Sequence, residues 1–127
     1  MQKKTKTEAM FTSKCPYQNA YQGKDKRVLF VCSAGLLRSA TAARIYAKKY
    51  NTRAAGSEKY ALIPVSDELL LWANEVVFVN PSNHMSTAYK FDLDTFDCKV
   101  KVLDIPDDYE HMDPQLIDHF YQQYEAI

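Results

Sequence analysis

Cys32 and Arg38 bound the segment Cys32-Ser33-Ala34-Gly35-Leu36-Leu37-Arg38-Ser39, a Cys-x5-Arg-Ser spacing that sets a soft nucleophile beside a forked cation. A thiolate attacks electrophilic centres, and a guanidinium offers paired N–H donors matched to two oxygens of a phosphoryl group. Between them, the backbone N–H groups from Ser33 to Ser39 can curl around a tetrahedral anion. A helix starting near Arg38 adds its unpaired first-turn amides to that cradle. Ser39 can donate its hydroxyl to the sulfur, favouring the ionised form and helping it leave phosphorus. Gly35, in mid-loop, can adopt the positive φ that a tight anion loop demands. The combination implies phosphoryl transfer to Cys32, with Arg38 holding the group and stabilising charge in the transition state. A buried filler cysteine near a surface arginine would use the same residues, but a strand before the loop and a helix after it weigh against that.

Such a transfer needs an acid to protonate the departing oxygen, and the same carboxylate can then activate water against the phosphocysteine. Asp104, Asp107, Asp108, Glu110 and Asp113 crowd together after Leu103. Asp113 precedes Pro114 and reads as a helix cap, which leaves Asp107, Asp104 and Asp108 as candidates for the acid.

The elements that must position these groups follow from periodicity. Val28-Leu29-Phe30-Val31 is a continuous apolar run, the pattern of a strand buried on both faces of a parallel sheet, with Cys32 the first residue beyond it. A helix is predicted over 39–50, with Ala40, Ala43, Ala47 and Tyr50 on its apolar side. A short strand over 52–55 is closed by Gly56. Ser66 is the cap of a helix over 66–73, and Val76–Val79 is a third strand. Asn80-Pro81 opens another helix, Lys99–Leu103 is a fourth strand, and Asp113-Pro114 opens a last helix ending near Glu125. Four strands alternating with four helices predict a doubly wound, four-stranded parallel sheet with helices on both faces and a ligand at the carboxyl ends of the strands.

Composition bounds the remaining possibilities. At 127 residues, 46% hydrophobic and 25% charged, the chain has the make-up of one globular domain. Residues 1–26 are polar and aperiodic and read as an extension before a domain over 27–127. Cys15, Cys32 and Cys98 have neither disulfide-framework nor zinc spacing, and His84, His111 and His119 form no ligand set, so no metal or other cofactor is expected. No apolar run approaches the roughly 18 residues of a membrane span, and no secretory leader is visible. A cytoplasmic location is expected, with neither nucleic-acid nor membrane partners. The sixteen basic and sixteen acidic residues balance, although the amino-terminal segment is basic and the last third acidic.

Strand, Cys-x5-Arg-Ser loop and helix together resemble the low-molecular-weight protein tyrosine phosphatases, and the similarity runs from Val28 to near the carboxyl terminus. That family's loop has the form C-x-G-N-x-x-R-S, and its general acid lies in a downstream D-P-Y segment often preceded by Ile-Pro. Ile105-Pro106-Asp107-Asp108-Tyr109 is similar. The resemblance implies a flavodoxin-like fold of the phosphotyrosine phosphatase I type and an enzyme acting on phosphorylated proteins or small aryl phosphates through phosphocysteine. It implies Asp107 as the acid, Tyr109 as an aromatic wall of the substrate cleft and Leu36 as the loop side chain touching the substrate ring. Ala54-Ala55-Gly56 resembles the family's Ser-Ala-Gly, and Tyr60 stands where an aromatic wall residue follows it. Ala34 and Gly35 replace the family's glycine and asparagine, and Leu37 replaces a second cysteine found in many members. Two other readings share the loop: an arsenate reductase, which needs two further cysteines close together, and a phosphoprotein-binding module without turnover.

Overall fold

A computed structural model describes residues 26–125. The expected extension, with Cys15, therefore lies almost wholly outside the described residues. Four strands, β1 (Arg27–Cys32), β2 (Asn51–Gly56), β3 (Glu75–Phe78) and β4 (Lys99–Val102), form one sheet in the order β2-β1-β3-β4, and every pairing is parallel. The helices are α1 (Arg38–Ile45), α2 (Asp67–Trp72), α3 (Pro81–Lys90) and α4 (Pro114–Gln123), with a single 3-10 turn at Leu93–Thr95. This is an α/β fold consistent with a flavodoxin-like arrangement.

The apolar run of β1 lies between two strands, and Val28, Leu29, Phe30 and Val31 are each 0% exposed. Its alternate residues feed two separate cores. Val28 and Phe30 pack with Ala43 and Tyr46 from the α1 segment and with Leu116 and Phe120 of α4. Leu29 and Val31 pack with Leu69, Leu70 and Trp72 of α2. Each large side chain so buried contributes about 1.5–3 kcal/mol relative to exposure, so the strand that carries the loop is anchored on both of its faces.

The capping signals act as their chemistry requires. Ser66 accepts from the Leu69 N–H, Asn80 accepts from the Ser82 N–H ahead of α3, and Asp113 accepts from the Gln115 N–H ahead of α4. Several boundaries shift by a residue or two, with β2 taking in Asn51 and Gly56 and β3 running Glu75–Phe78 instead of 76–79, and two differences bear on the site. Cys32 is the last residue of β1, in register with Gly56, because its backbone continues the ladder. The helix expected over 39–50 stops at Ile45, and the chain goes on in turns bonded from Lys49 N and Tyr50 N to Tyr46 O. Among the described residues, no helix is long and apolar enough to cross a membrane.

Candidate active site

The direction of chain growth reverses at β1: β2 lies on one side of it and β3 on the other. The carboxyl end of β1 is therefore the switch point at which open parallel sheets bind ligands. There the backbone leaves the sheet at Cys32 and re-enters helical geometry at Arg38. Gly35 has φ of 78°, as the loop composition predicts. A second reason for glycine exists at this position. A Cβ there would lie 2.8 Å from the Ala55 carbonyl carbon and 2.9 Å from the Gly56 nitrogen, so the loop rests directly on the backbone of β2. Gly56 is equally constrained, since its Cβ would lie 2.6 Å from the Ser33 carbonyl oxygen. The loop is also stitched to the segment after β2, where the Ser57 N–H donates to Cys32 O at 2.7 Å and the Glu58 N–H to Ser33 O at 3.2 Å.

The Cys32 thiol is nearly buried, and its sulfur accepts the Gly35 N–H at 3.2 Å and lies 3.1 Å from Ser39 Oγ. Ser39 thus stands where it can donate to a thiolate. α1 begins at Arg38 with no side chain capping it, leaving its first amides directed at the loop. Arg38 is itself buried, and its donors are spread over three partners. Nη1 donates to Ile105 O at 2.9 Å, Nη2 to Ser33 Oγ at 3.4 Å, and Nε pairs with Asp107 Oδ1 at 3.5 Å.

Asp107 comes to the site on a loop that is tethered at both ends. Ile105 is 0% exposed, its N–H donates to Val79 O, and its carbonyl accepts from Arg38. Farther along, the Met112 N–H donates to Thr41 Oγ1 at 2.8 Å, with Met112 at φ 62°. His111 lies against the same hydroxyl, and burial, reinforced by the Arg44 charge, holds its imidazole below the usual range. The loop carrying Asp107 is therefore held to α1 at two residues, Arg38 and Thr41. All three candidate carboxylates are exposed, and they differ in partners. Asp107 faces Arg38 and lines the cavity beside Cys32, whereas Asp104 accepts from Asn80 Nδ2 with its N–H donating to Gln123 Oε1, and neither Asp104 nor Asp108 lines the cavity.

Cys32, Ser33, Ala34, Leu37, Arg38, Tyr60 and Asp107 line a cavity of about 100 Å³. Two larger clefts, of about 530 and 330 Å³, are lined by neither cysteine nor serine. Of the expected aromatic walls, Tyr60 reaches the cavity rim, while the Tyr109 hydroxyl bonds to His119 Nε2 at 2.9 Å and its ring packs toward the core. Leu37, 40% exposed, lines the cavity and Leu36 does not. Cys98 packs against the core on the opposite face of the sheet from Cys32. Among the described residues no group of His, Cys, Asp and Glu could hold a metal ion.

Sequence reasoning missed Asn83 and Ser57. Asn83 is 1% exposed, and its Nδ2 donates to Ser33 Oγ and to Ser57 Oγ, both at 3.1 Å. An asparagine in the first turn of a helix carries no signal of its own; only the packing of α3 against the loop reveals it. Comparison with protein-family models, with curated proteins and with solved structures returned no match.

Proposed function

We propose that the protein is a phosphomonoester hydrolase, acting as a protein tyrosine phosphatase of the low-molecular-weight type through phosphocysteine on Cys32. The observation that carries this reading is one cavity lined by Cys32, Arg38 and Asp107, with Arg38 Nε paired to Asp107 Oδ1, at the start of an uncapped helix. In the first step the thiolate attacks phosphorus, the P–O bond to the alcohol breaks, and Asp107 protonates the departing oxygen. Incoming phosphoryl oxygens displace Asp107 from the Nε edge of Arg38, and its carboxyl, no longer paired with the cation, takes up the proton of the bound phosphomonoester monoanion and passes it to the leaving oxygen. In the second step the Asp107 carboxylate takes a proton from water, whose oxygen attacks phosphorus and expels the Cys32 thiolate with Ser39 donating to it. The loop amides and Arg38 hold the developing charge throughout.

A small cavity with Leu37 and Tyr60 in its lining suits a phosphorylated protein or small aryl phosphate as substrate. Free thiols at Cys32 and Cys98 suit the cytoplasm. Phosphate release from p-nitrophenyl phosphate tests the proposal. The wild type is expected to turn over, and Cys32→Ser to lose turnover while still binding tungstate. Unchanged turnover in Cys32→Ser overturns it. Binding of a phosphotyrosine peptide by the wild type without release of phosphate would make the loop a recognition module instead.

A further inference from the structure

Ser33 contributes a backbone N–H to the cradle, but its side chain has a direction of its own that can be traced bond by bond. The chain begins at Glu58, whose carboxylate can only accept, so the Ser57 hydroxyl spends its proton on Glu58 Oε2 at 3.0 Å. Ser57 Oγ is then left to accept, and Asn83 Nδ2 donates to it at 3.1 Å. This fixes which way the buried Asn83 amide faces. Its second N–H donates to Ser33 Oγ at 3.1 Å, and Arg38 Nη2 approaches the same oxygen at 3.4 Å. A hydroxyl has two acceptor positions and one proton. With Asn83 and Arg38 at its two acceptor positions, the Ser33 oxygen has only its proton left, and Ser33 lines the cavity beside Cys32.

We propose that the Ser33 hydroxyl donates a hydrogen bond to the substrate's phosphoryl oxygen, with Asn83 as the positioning residue that orients it. The hydroxyl adds a side-chain donor to an amide cradle, and it comes preorganised because its acceptor positions are occupied before substrate arrives. It also compensates for the loop's composition, since neither Ala34 nor Gly35 brings a side-chain donor. Ser33 is a catalytic residue in this sense, touching the reacting group, whereas Asn83 acts only through it. The inference rests on the hydrolase reading for its role in turnover but not for its role in binding an oxyanion.

Calorimetric titration with tungstate, run beside p-nitrophenyl phosphate turnover, separates the two. Ser33→Ala is expected to weaken tungstate binding about 10–100-fold, the range for one hydrogen bond to a charged group, and to lower kcat/KM in step. Ser33→Thr keeps the hydroxyl and is expected to restore both. Asn83→Ala is expected to weaken tungstate in the wild-type loop and to add nothing in the Ser33→Ala background, because both changes remove the same bond. Wild-type tungstate affinity in Ser33→Ala overturns the proposal and leaves the hydrolase reading standing. An equal Asn83→Ala penalty with and without the Ser33 hydroxyl overturns the positioning role. Ser33-dependent tungstate binding by a wild type that releases no phosphate supports the donor and removes the hydrolase. If Ser33→Ala fails to fold by circular dichroism, folded Asn83→Ala decides: undiminished tungstate affinity overturns the proposal.

Discussion

Gly35 offers a test that separates two reasons for a glycine. At φ 78° an alanine pays the left-handed penalty of about 1–2 kcal/mol. Its Cβ would also fall 2.8 Å and 2.9 Å from the Ala55 and Gly56 backbone. Those atoms belong to a strand paired along its length with β1, so they cannot retreat as a flexible side chain would, and overpacking of this kind costs about 1–3 kcal/mol. Together the terms give about 2–5 kcal/mol for Gly35→Ala, a fall in Tm of at least about 8 °C for a domain this size. Asparagine tolerates left-handed φ, so Gly35→Asn escapes most of the first term and none of the second. It is expected to lose about 1–3 kcal/mol, or about 4–12 °C. The resemblance points the other way, since asparagine occupies this loop position in the low-molecular-weight phosphatases. Thermal unfolding followed by circular dichroism measures both variants. A Gly35→Asn protein melting within about 2 °C of the wild type would refute the close-approach argument and leave only the backbone conformation.

Asp107→Asn is expected to slow aryl phosphate turnover by about 10²–10⁴-fold, and by less for substrates with good leaving groups, while Asp104→Asn retains turnover within a few-fold; equal losses in steady-state assays would reject Asp107 as the acid. The remaining prediction concerns pH. Burial pushes the Glu75 carboxyl up, but the Tyr124 hydroxyl at 2.6 Å, with Lys26 and Lys101, outweighs it and leaves the group below its ordinary value. A depressed carboxyl stabilises the fold above its unfolded value, near about 4.3, and that contribution is lost as pH falls toward the folded value. The urea midpoint of the wild type should therefore drop more steeply below about pH 4.3 than that of Glu75→Gln. Parallel curves would show that Glu75 does not carry the acid sensitivity.

The features legible in the sequence are those fixed by neighbours along the chain. The buried β1 run, the glycine at positive φ, the three caps at Ser66, Asn80 and Asp113, and the proximity of Cys32, Ser39 and Arg38 each depend on residues only a few positions apart. Asp107 sits far downstream, yet it reaches the cavity because Ile105, two positions earlier, is apolar and anchors in the core beneath it. What was not legible depends on distant packing. Which of two adjacent leucines faces the cavity is decided by loop torsions after Gly35, and Leu37 is the one that does. Tyr109 turns to His119 because α4 brings that imidazole within 2.9 Å, a contact that no local pattern signals. Asn83 has the spacing of any polar helix residue until α3 settles against Ser33 and Ser57. The early end of α1 at Ile45 coincides with distant contacts, since the C-cap Tyr46 stacks against Phe30 and meets Tyr124 edge-on.

Ile105 belongs at once to the interior and to the site. Its side chain packs with Leu116 and Phe120, its N–H is bonded into the β3 end of the sheet, and its carbonyl holds the Arg38 guanidinium. The cation that would grip the substrate is thus aimed by the same residue that seals the core, with no flexible joint between them. On this face of the protein, hydrophobic packing and charge placement form a single mechanical unit. Evolution of the rim at Leu37 and Tyr60 is free to change what enters, whereas the oil beneath Arg38 is as much a part of the apparatus as the thiol.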